Sequence, residues 1–100
     1  MQFEAGSLVL DPTSRVAFRR GTQLDLTRRE FDLLEALVLA AGNPVPKHEL
    51  LDRVWGTGFD GNVNVVEVYV RYLRRKIDAP FGIRSLHTVR GVGYVLEATE

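Results

Sequence analysis

The sequence predicts an α+β fold in which a small antiparallel sheet comes first, three helices follow, and a β-hairpin ends the chain. Short apolar runs broken by turn residues occupy about 3–26, and two more flank a glycine turn within about 83–97. Between them, apolar residues recur at helical spacing over about 27–41, 47–55 and 64–78. No repeat or low-complexity linker divides the sequence, so we expect residues 1–100 to form one domain.

Composition narrows the class of protein. Hydrophobic residues make up 45% of the chain and charged residues 26%, which is typical of a folded globular domain. No apolar run approaches the ~18 residues of a membrane helix, and the N-terminus lacks a secretion signal. The chain has no cysteine, which excludes disulfides and cysteine nucleophiles and fits a cytoplasmic location. His48 and His87 lack ligand spacing, so we expect no metal and no other cofactor.

The charge is distributed unevenly along the chain. The formal net charge is zero, yet six basic residues lie between Arg71 and Arg90 against Asp78 alone. A concentrated basic segment can bind a polyanion even in a neutral protein, because the local field matters more than the total charge. A solvated helix face explains the same charges equally well. We interpret Arg19 and Arg20, outside this segment, as solvated surface charges.

The first 26 residues predict a small antiparallel sheet. Phe3 and the run Leu8–Leu10 precede a turn at 11–14, which contains proline. Val16–Phe18 then forms a second strand, a turn follows at 20–22, and Gln23–Leu26 forms a third.

The first helix has a clear start and end. Thr27 and Glu30 form a capping box, in which each side chain bonds the backbone amide of the other residue. An apolar stripe follows this cap, and Gly42 is then expected to end the helix. That stripe contains Phe31, Leu34, Leu37, Val38 and Ala41. A second helix covers about 47–55, with Pro46 at its first turn and Trp55 packed at its end.

The third helix carries the basic segment. Asn64 and Glu67 repeat the capping pattern, and apolar residues at spacings of four, three and four form one buried stripe. The stripe consists of Val66, Val70, Leu73 and Ile77. The valines at 63–70 also suit a strand, but the continuing helical period favours a helix. Opposite the stripe lie Asn64, Glu67, Arg71, Arg74, Arg75 and Asp78.

Three helices followed by a glycine-turned hairpin form a winged helix-turn-helix. The DNA major groove admits an α-helix, and the adjacent hairpin, or wing, can reach the backbone or the minor groove. Arginine can bond guanine or phosphate in bidentate fashion. Arg90 lies at the predicted tip of the wing beside Gly91, which leaves its guanidinium room to project. Tyr94, further along the wing, suits either packing or a phosphate contact.

The chain resembles the C-terminal domains of OmpR/PhoB-type response regulators over about 3–97. The segment 64–78 (NVVEVYVRYLRRKID) is similar to that family's recognition helix, and 88–94 (TVRGVGY) is similar to its wing. Segment 26–34 (LTRREFDLL) resembles the start of its first helix, and 49–56 resembles its second. Four such motifs in the right order are far more specific than any one alone.

The resemblance implies a set of functional residues. In this family the third helix enters the major groove and the wing arginine, here Arg90, lies at the minor groove. The corresponding DNA-contacting residues are Asn64, Glu67, Val68, Arg71, Tyr72, Arg74, Arg75, Thr88, Arg90, Gly91 and Tyr94. Some members contact RNA polymerase through the loop before the third helix, which here consists of Gly56, Thr57, Gly58, Phe59, Asp60, Gly61 and Asn62.

The resemblance also implies partners. Family members carry an N-terminal receiver domain that dimerises on phosphorylation, and they bind direct repeats head to tail. No receiver domain lies within these 100 residues, so we expect an isolated output domain that is monomeric without DNA. Two positions depart from the family. Tyr72 replaces an arginine that touches DNA in several members, and Pro46 replaces a serine cap.

Two other classes of function compete with DNA binding. An enzyme could at best pair Asp60 with His87, but no nucleophile or metal cluster accompanies them, so we expect no catalysis. The stronger alternative is a winged-helix module that binds another protein. An arginine-rich helix face favours DNA, because protein-binding faces more often present apolar anchors.

Overall fold

The computed structural model describes residues 1–99; Glu100, the last residue of the predicted domain, lies outside the described residues. The predicted order of sheet, three helices and hairpin is confirmed. The strands are β1 (Phe3–Ala5), β2 (Leu8–Asp11), β3 (Val16–Arg19), β4 (Thr22–Gln23), β5 (Val45–Pro46), β6 (Leu86–Val89) and β7 (Gly93–Leu96). The helices are α1 (Arg28–Leu39), α2 (Lys47–Trp55) and α3 (Asn64–Leu73), and α3 continues as a π-helical turn (Arg74–Asp78) and a 3₁₀ turn (Ala79–Phe81).

The N-terminal sheet is antiparallel, with its strands in the order β1-β2-β3-β4. Alternate residues of β2 and β3 face the core, as the two-residue period of a strand requires. The sheet has four strands where the sequence predicted three, and the strand expected at Gln23–Leu26 is only Thr22–Gln23. The Leu24 amide still donates to the Ala17 carbonyl oxygen at 2.8 Å, and after this buried residue the chain leads into the cap of α1.

The capping box of α1 is confirmed. The Glu30 amide donates to Thr27 Oγ1 at 3.2 Å, and the Thr27 amide donates to Glu30 Oε1 at 2.8 Å. Four of the five residues expected in the apolar stripe are buried. The exception is Ala41, which is exposed because α1 ends at Leu39 and Ala41 takes a left-handed conformation with φ of 52°.

The apolar stripe of α3 is confirmed, since Val66, Val70, Leu73 and Ile77 are each at most 1% exposed. The predicted cap is wrong by two residues. The amide of Asn64 donates to Asn62 Oδ1 at 2.8 Å, because Val63 already has helical dihedral angles and Asn62 is the last residue before them. The α-helix also stops at Leu73, and the following π-helical turn buries two consecutive residues, Ile77 and Asp78.

A second sheet, with its strands in the order β5-β7-β6, packs beside the helices. We call the β6–β7 hairpin and its turn at Arg90–Val92 the wing. The sequence missed β5, whose Val45 pairs with Tyr94 and whose Pro46 pairs with Gly93. A Cβ atom at Gly93 would lie 2.0 Å from the Val45 carbonyl oxygen, so β5 approaches this closely only because residue 93 is glycine.

Candidate nucleic-acid interface

A groove runs between the exposed side of α3 and the wing. Predicted site residues from both elements line it, together with Lys47 and His48 of α2. Those from α3 and the turn after it are Glu67, Arg71 and Arg74, and those from the wing are Thr88, Arg90, Gly91 and Tyr94. Residues far apart in the chain therefore share one surface, as a helix and wing that straddle a duplex would require.

Three arginines of the third helix and the wing are exposed and available to a ligand, and two of them, Arg71 and Arg90, line the groove. Arg71 and Arg75 are exposed at the C-terminal part of the third helix, and Arg90 is exposed in the turn of the wing. Within residues 1–99 none of the three guanidinium groups bonds a protein acceptor or forms an ion pair. Their full donor capacity can therefore serve phosphates or base edges. Asn64 and Tyr72 are exposed on the same helix, and Val68 is half-buried.

Arg74, by contrast, bonds the wing. Its Nε donates to the Leu86 carbonyl oxygen at 3.0 Å, and its Nη2 donates to Thr88 Oγ1 at 2.9 Å. The side chain is half-buried, and it joins the turn after α3 to the first strand of the wing.

An ion pair and a buried tyrosine form the α2 side of the groove. Lys47 Nζ donates to Glu67 Oε2 at 2.9 Å, and this hydrogen bond raises the pKa of Lys47. Tyr94 is only 4% exposed, which favours packing over a direct phosphate contact. Burial, followed by the charge of Glu67, raises the pKa of the Tyr94 phenol. Through its hydrogen bond with Lys47, Glu67 already has a cationic partner within the protein.

Two predictions about charge are wrong. Asp78, expected on the polar face of the third helix, is 5% exposed, and Arg19, expected in solvent, is fully buried; Arg20 is exposed as expected. Arg19 donates to the Ile77 carbonyl oxygen at 3.1 Å, to Ser85 Oγ at 2.8 Å and to Asp78 Oδ1 at 3.4 Å. Asp78 lies in the π-helical turn that follows α3, where both it and Ile77 are buried, so it does not lie on the exposed face that a continuing α-helix would give it.

A partly buried ion pair uses another charge of the basic segment. Lys76 Nζ lies 2.7 Å from Oε1 of Glu30, whose side chain is buried where it caps α1. Fewer cations of the basic segment are therefore available to a ligand than its composition suggests. Within residues 1–99, Arg74 and Lys76 bond other parts of the protein, whereas Arg84, like Arg71, Arg75 and Arg90, has no protein acceptor.

A row of aromatic rings connects α3 to the loop Gly56–Asn62. The ring of Trp55 lies 5.2 Å from that of Tyr69 and 6.4 Å from that of Phe59, and Tyr69 lies 5.4 Å from Tyr72. The Arg29 guanidinium stacks over Trp55 at 5.3 Å. The packing role predicted for Trp55 is confirmed. The loop residues themselves are exposed, and Gly56 ends α2 with φ of 96°.

Three further findings concern metal-binding clusters, membrane-spanning helices and the pair Asp60 and His87. The part of the chain that the structure describes contains no cluster of three or more histidine, cysteine, aspartate or glutamate residues able to hold a metal ion. None of its helices combines the length and the apolar character needed to cross a membrane. Asp60 lies in the loop between α2 and α3, whereas His87 lies in β6, where its Nε2 is 3.4 Å from Glu97 Oε1.

The three-helix unit, the glycine-turned wing and the arginine face define the class of winged helix-turn-helix DNA-binding domains. The family described as "Transcriptional regulatory protein, C terminal" matches residues 21–96. The chain belongs to this family of OmpR/PhoB-type response-regulator output domains, which bind DNA and regulate transcription.

Individual relatives agree with this assignment. TcrA, a transcriptional regulatory protein of Mycobacterium tuberculosis, is 47% identical over 93 residues, which are 93% of this chain and 37% of TcrA. PrrA of Mycobacterium leprae, another transcriptional regulatory protein, is 48% identical over 91 residues, or 91% of this chain and 39% of PrrA. This chain therefore spans about two fifths of the length of these relatives.

Solved structures of similar fold include proteins with DNA. The DNA-binding domain of RstA from Klebsiella pneumoniae, in complex with the RstA box, matches with a TM-score of 0.84 and 31% identity over 97% of both chains. DrrB, an OmpR/PhoB homologue from Thermotoga maritima, matches with a TM-score of 0.83 and 30% identity over 96% of this chain and 44% of DrrB.

Proposed function

We propose that this chain binds double-stranded DNA sequence-specifically with α3 in the major groove and Arg90 at the minor groove. The observation that carries the proposal is the groove that Arg71 of α3 and Arg90 of the wing both line, since neither guanidinium has an acceptor within residues 1–99. A major groove about 12 Å wide accepts one helix, and the wing beside it then meets the adjacent sugar-phosphate backbone.

The residues divide into three roles under this proposal. Arg71, near the centre of the exposed side of α3, reads a base edge, and Asn64 meets the duplex at the helix N-terminus. Val68 and Tyr72 add apolar contact at the base edges. Arg75, Thr88 and Gly91 hold the backbone and fix the register, as phosphate contacts do. Glu67 and Tyr94 shape the groove from the α2 side, consistent with their contacts to Lys47 and to β5.

The wider setting is also a proposal. The chain's share of its relatives' length leaves room for an N-terminal receiver domain in the full protein. We propose that the output domain alone is monomeric, acts in the cytoplasm without catalysis, and occupies direct repeats head to tail. The exposed loop Gly56–Asn62 is the proposed contact for RNA polymerase, supported by its position at the edge of the aromatic row.

A salt titration tests the DNA-binding proposal. The chain is titrated into a fluorescein-labelled duplex that it has itself selected from a random-sequence pool, and anisotropy is read from about 50 to 200 mM salt. If three arginines neutralise three phosphates, affinity falls about 40-fold over this range. A flat response would favour the protein-binding module instead.

A substitution locates the interface. Arg71→Ala should weaken binding about 5- to 150-fold and relax the preference at one base pair, because it removes a bidentate base contact. The matched control is Arg53→Ala, which removes another exposed arginine; Arg53 lies on α2, pairs with Glu49 and does not line the groove. Equal losses from both substitutions would contradict the placement of α3 on the duplex.

A further inference from the structure

We propose that Arg74 is a positioning residue that sets the angle between α3 and the wing, and thereby places Arg90 at the minor groove. The inference rests on the proposed function, and it assigns Arg74 a role other than direct DNA contact. Arg74 and Arg71 lie three residues apart, yet Arg71 is exposed whereas Arg74 is half-buried against the wing.

The two hydrogen bonds of Arg74 act at different points of β6. Nε meets the backbone carbonyl of Leu86, and Nη2 meets the side-chain hydroxyl of Thr88, two residues further along the strand. One hydrogen bond would fix a distance, whereas two from a planar guanidinium also fix a direction. Arginine suits this role because its donors form a rigid fork, which the single ammonium of lysine cannot reproduce.

A second residue of the same π-helical turn holds the same strand. Asp78 Oδ2 accepts from the amides of Ser85 and Leu86 at 3.0 and 3.1 Å. Leu86 is therefore held at its N–H by Asp78 and at its C=O by Arg74, four residues apart on the turn that continues α3. This pair of contacts joins the wing to the recognition helix at the base of the hairpin.

The length of the wing converts a small tilt into a large displacement. Arg90 lies four positions after Leu86, which at about 3.3 Å per residue is roughly 13 Å. A tilt of about 10° at Leu86 would move the backbone of Arg90 by about 2 Å over that length. A hydrogen bond between heavy atoms tolerates only a few tenths of an ångström beyond its usual range of about 2.7–3.2 Å, so such a shift would break the contact with DNA.

A double-mutant cycle separates positioning from direct contact. The cycle combines Arg74→Lys with Arg90→Ala and measures affinity for the duplex that the unchanged chain selects. Lysine keeps the charge that a phosphate contact needs but loses the fork that holds β6. We expect Arg90→Ala to weaken binding about tenfold in the unchanged chain and less than about threefold in the Arg74→Lys variant, since coupled residues show non-additive effects.

Two further variants provide the control and the independent check. Arg75→Lys makes the same exchange at the neighbouring exposed arginine, and its effect should add to that of Arg90→Ala. Thr88→Val removes one acceptor of Arg74 while keeping the side-chain shape, and it should reduce the Arg90→Ala effect as Arg74→Lys does. If circular dichroism shows that Arg74→Lys does not fold, Thr88→Val still tests the positioning role.

Base preference gives a readout that a general loss of stability would not change. Arginine in a minor groove favours the narrow groove of A·T-rich sequence. Arg74→Lys should therefore lose the A·T preference at the wing positions and retain the base preference set by Arg71. Additive effects of Arg74→Lys and Arg90→Ala, or an equal loss of affinity for all DNA sequences, would overturn this inference and leave the proposed function standing. Absence of DNA binding by the unchanged chain would overturn the proposed function and this inference with it.

Discussion

Replacing Asp78 with alanine is expected to lower the free energy of unfolding by about 3–5 kcal/mol, because it leaves the buried guanidinium of Arg19 without its counter-charge. Arg19 is fully buried, and burial lowers its pKa while the charge of Asp78 opposes that effect. Asp78 also accepts from the amides of Ser85 and Leu86 and from the Ser85 hydroxyl at 2.6 Å. Alanine leaves these donors unsatisfied as well.

This loss in the free energy of unfolding is large for a domain of 100 residues. Such domains unfold at a cost of about 5–15 kcal/mol, so the substitution removes a fifth or more of the total. At about 4–8 °C per kcal/mol, the melting temperature should fall by at least about 12 °C. Arg19→Met should cost less than Asp78→Ala, because the carboxylate it leaves behind keeps three hydrogen bonds to Ser85 and Leu86.

Urea denaturation followed by circular dichroism measures both variants. The matched control is Glu49→Ala, which breaks the exposed pair with Arg53, at 3.7 Å, and should change stability by no more than about 0.5 kcal/mol. A loss below about 1 kcal/mol for Asp78→Ala would refute the reasoning, since it would mean that Arg19 is not held in a water-excluded site.

Two further predictions concern the wing and the assembly on DNA. Gly93→Ala should destabilise the domain by about 1–3 kcal/mol, because its Cβ would meet the Val45 carbonyl oxygen at 2.0 Å, whereas Gly58→Ala, with open space around it, should be neutral in the same urea titration. On tandem half-sites about 10–10.5 bp apart, two copies should bind cooperatively, whereas the free protein should sediment as a monomer. Moving one half-site by about 5 bp should abolish this cooperativity and leave single-site affinity unchanged. Gel-shift titrations measure both, and cooperativity that did not depend on spacing would contradict the prediction.

Local patterns were enough to predict much of the fold. The capping box joins Thr27 to Glu30, three residues away, and the stripe of α3 repeats every three or four residues. Such signals depend only on neighbours within one or two helical turns, so they can be recognised in the sequence. The exposure of Arg71 and Arg90 follows from the same reasoning, since one lies opposite the stripe and the other in a glycine turn.

The tertiary structure alone decided which charges are available to DNA. Arg19 and Asp78 lie 59 residues apart, and Lys76 and Glu30 lie 46 apart, so no local pattern links them. Periodicity indicates which side of a helix a residue occupies, but it does not show which distant segment covers that side. Arg71, Arg74 and Lys76 are equivalent cations in the sequence. Their surroundings differ because β6 passes beside Arg74, the cap of α1 lies beside Lys76, and open groove lies beside Arg71.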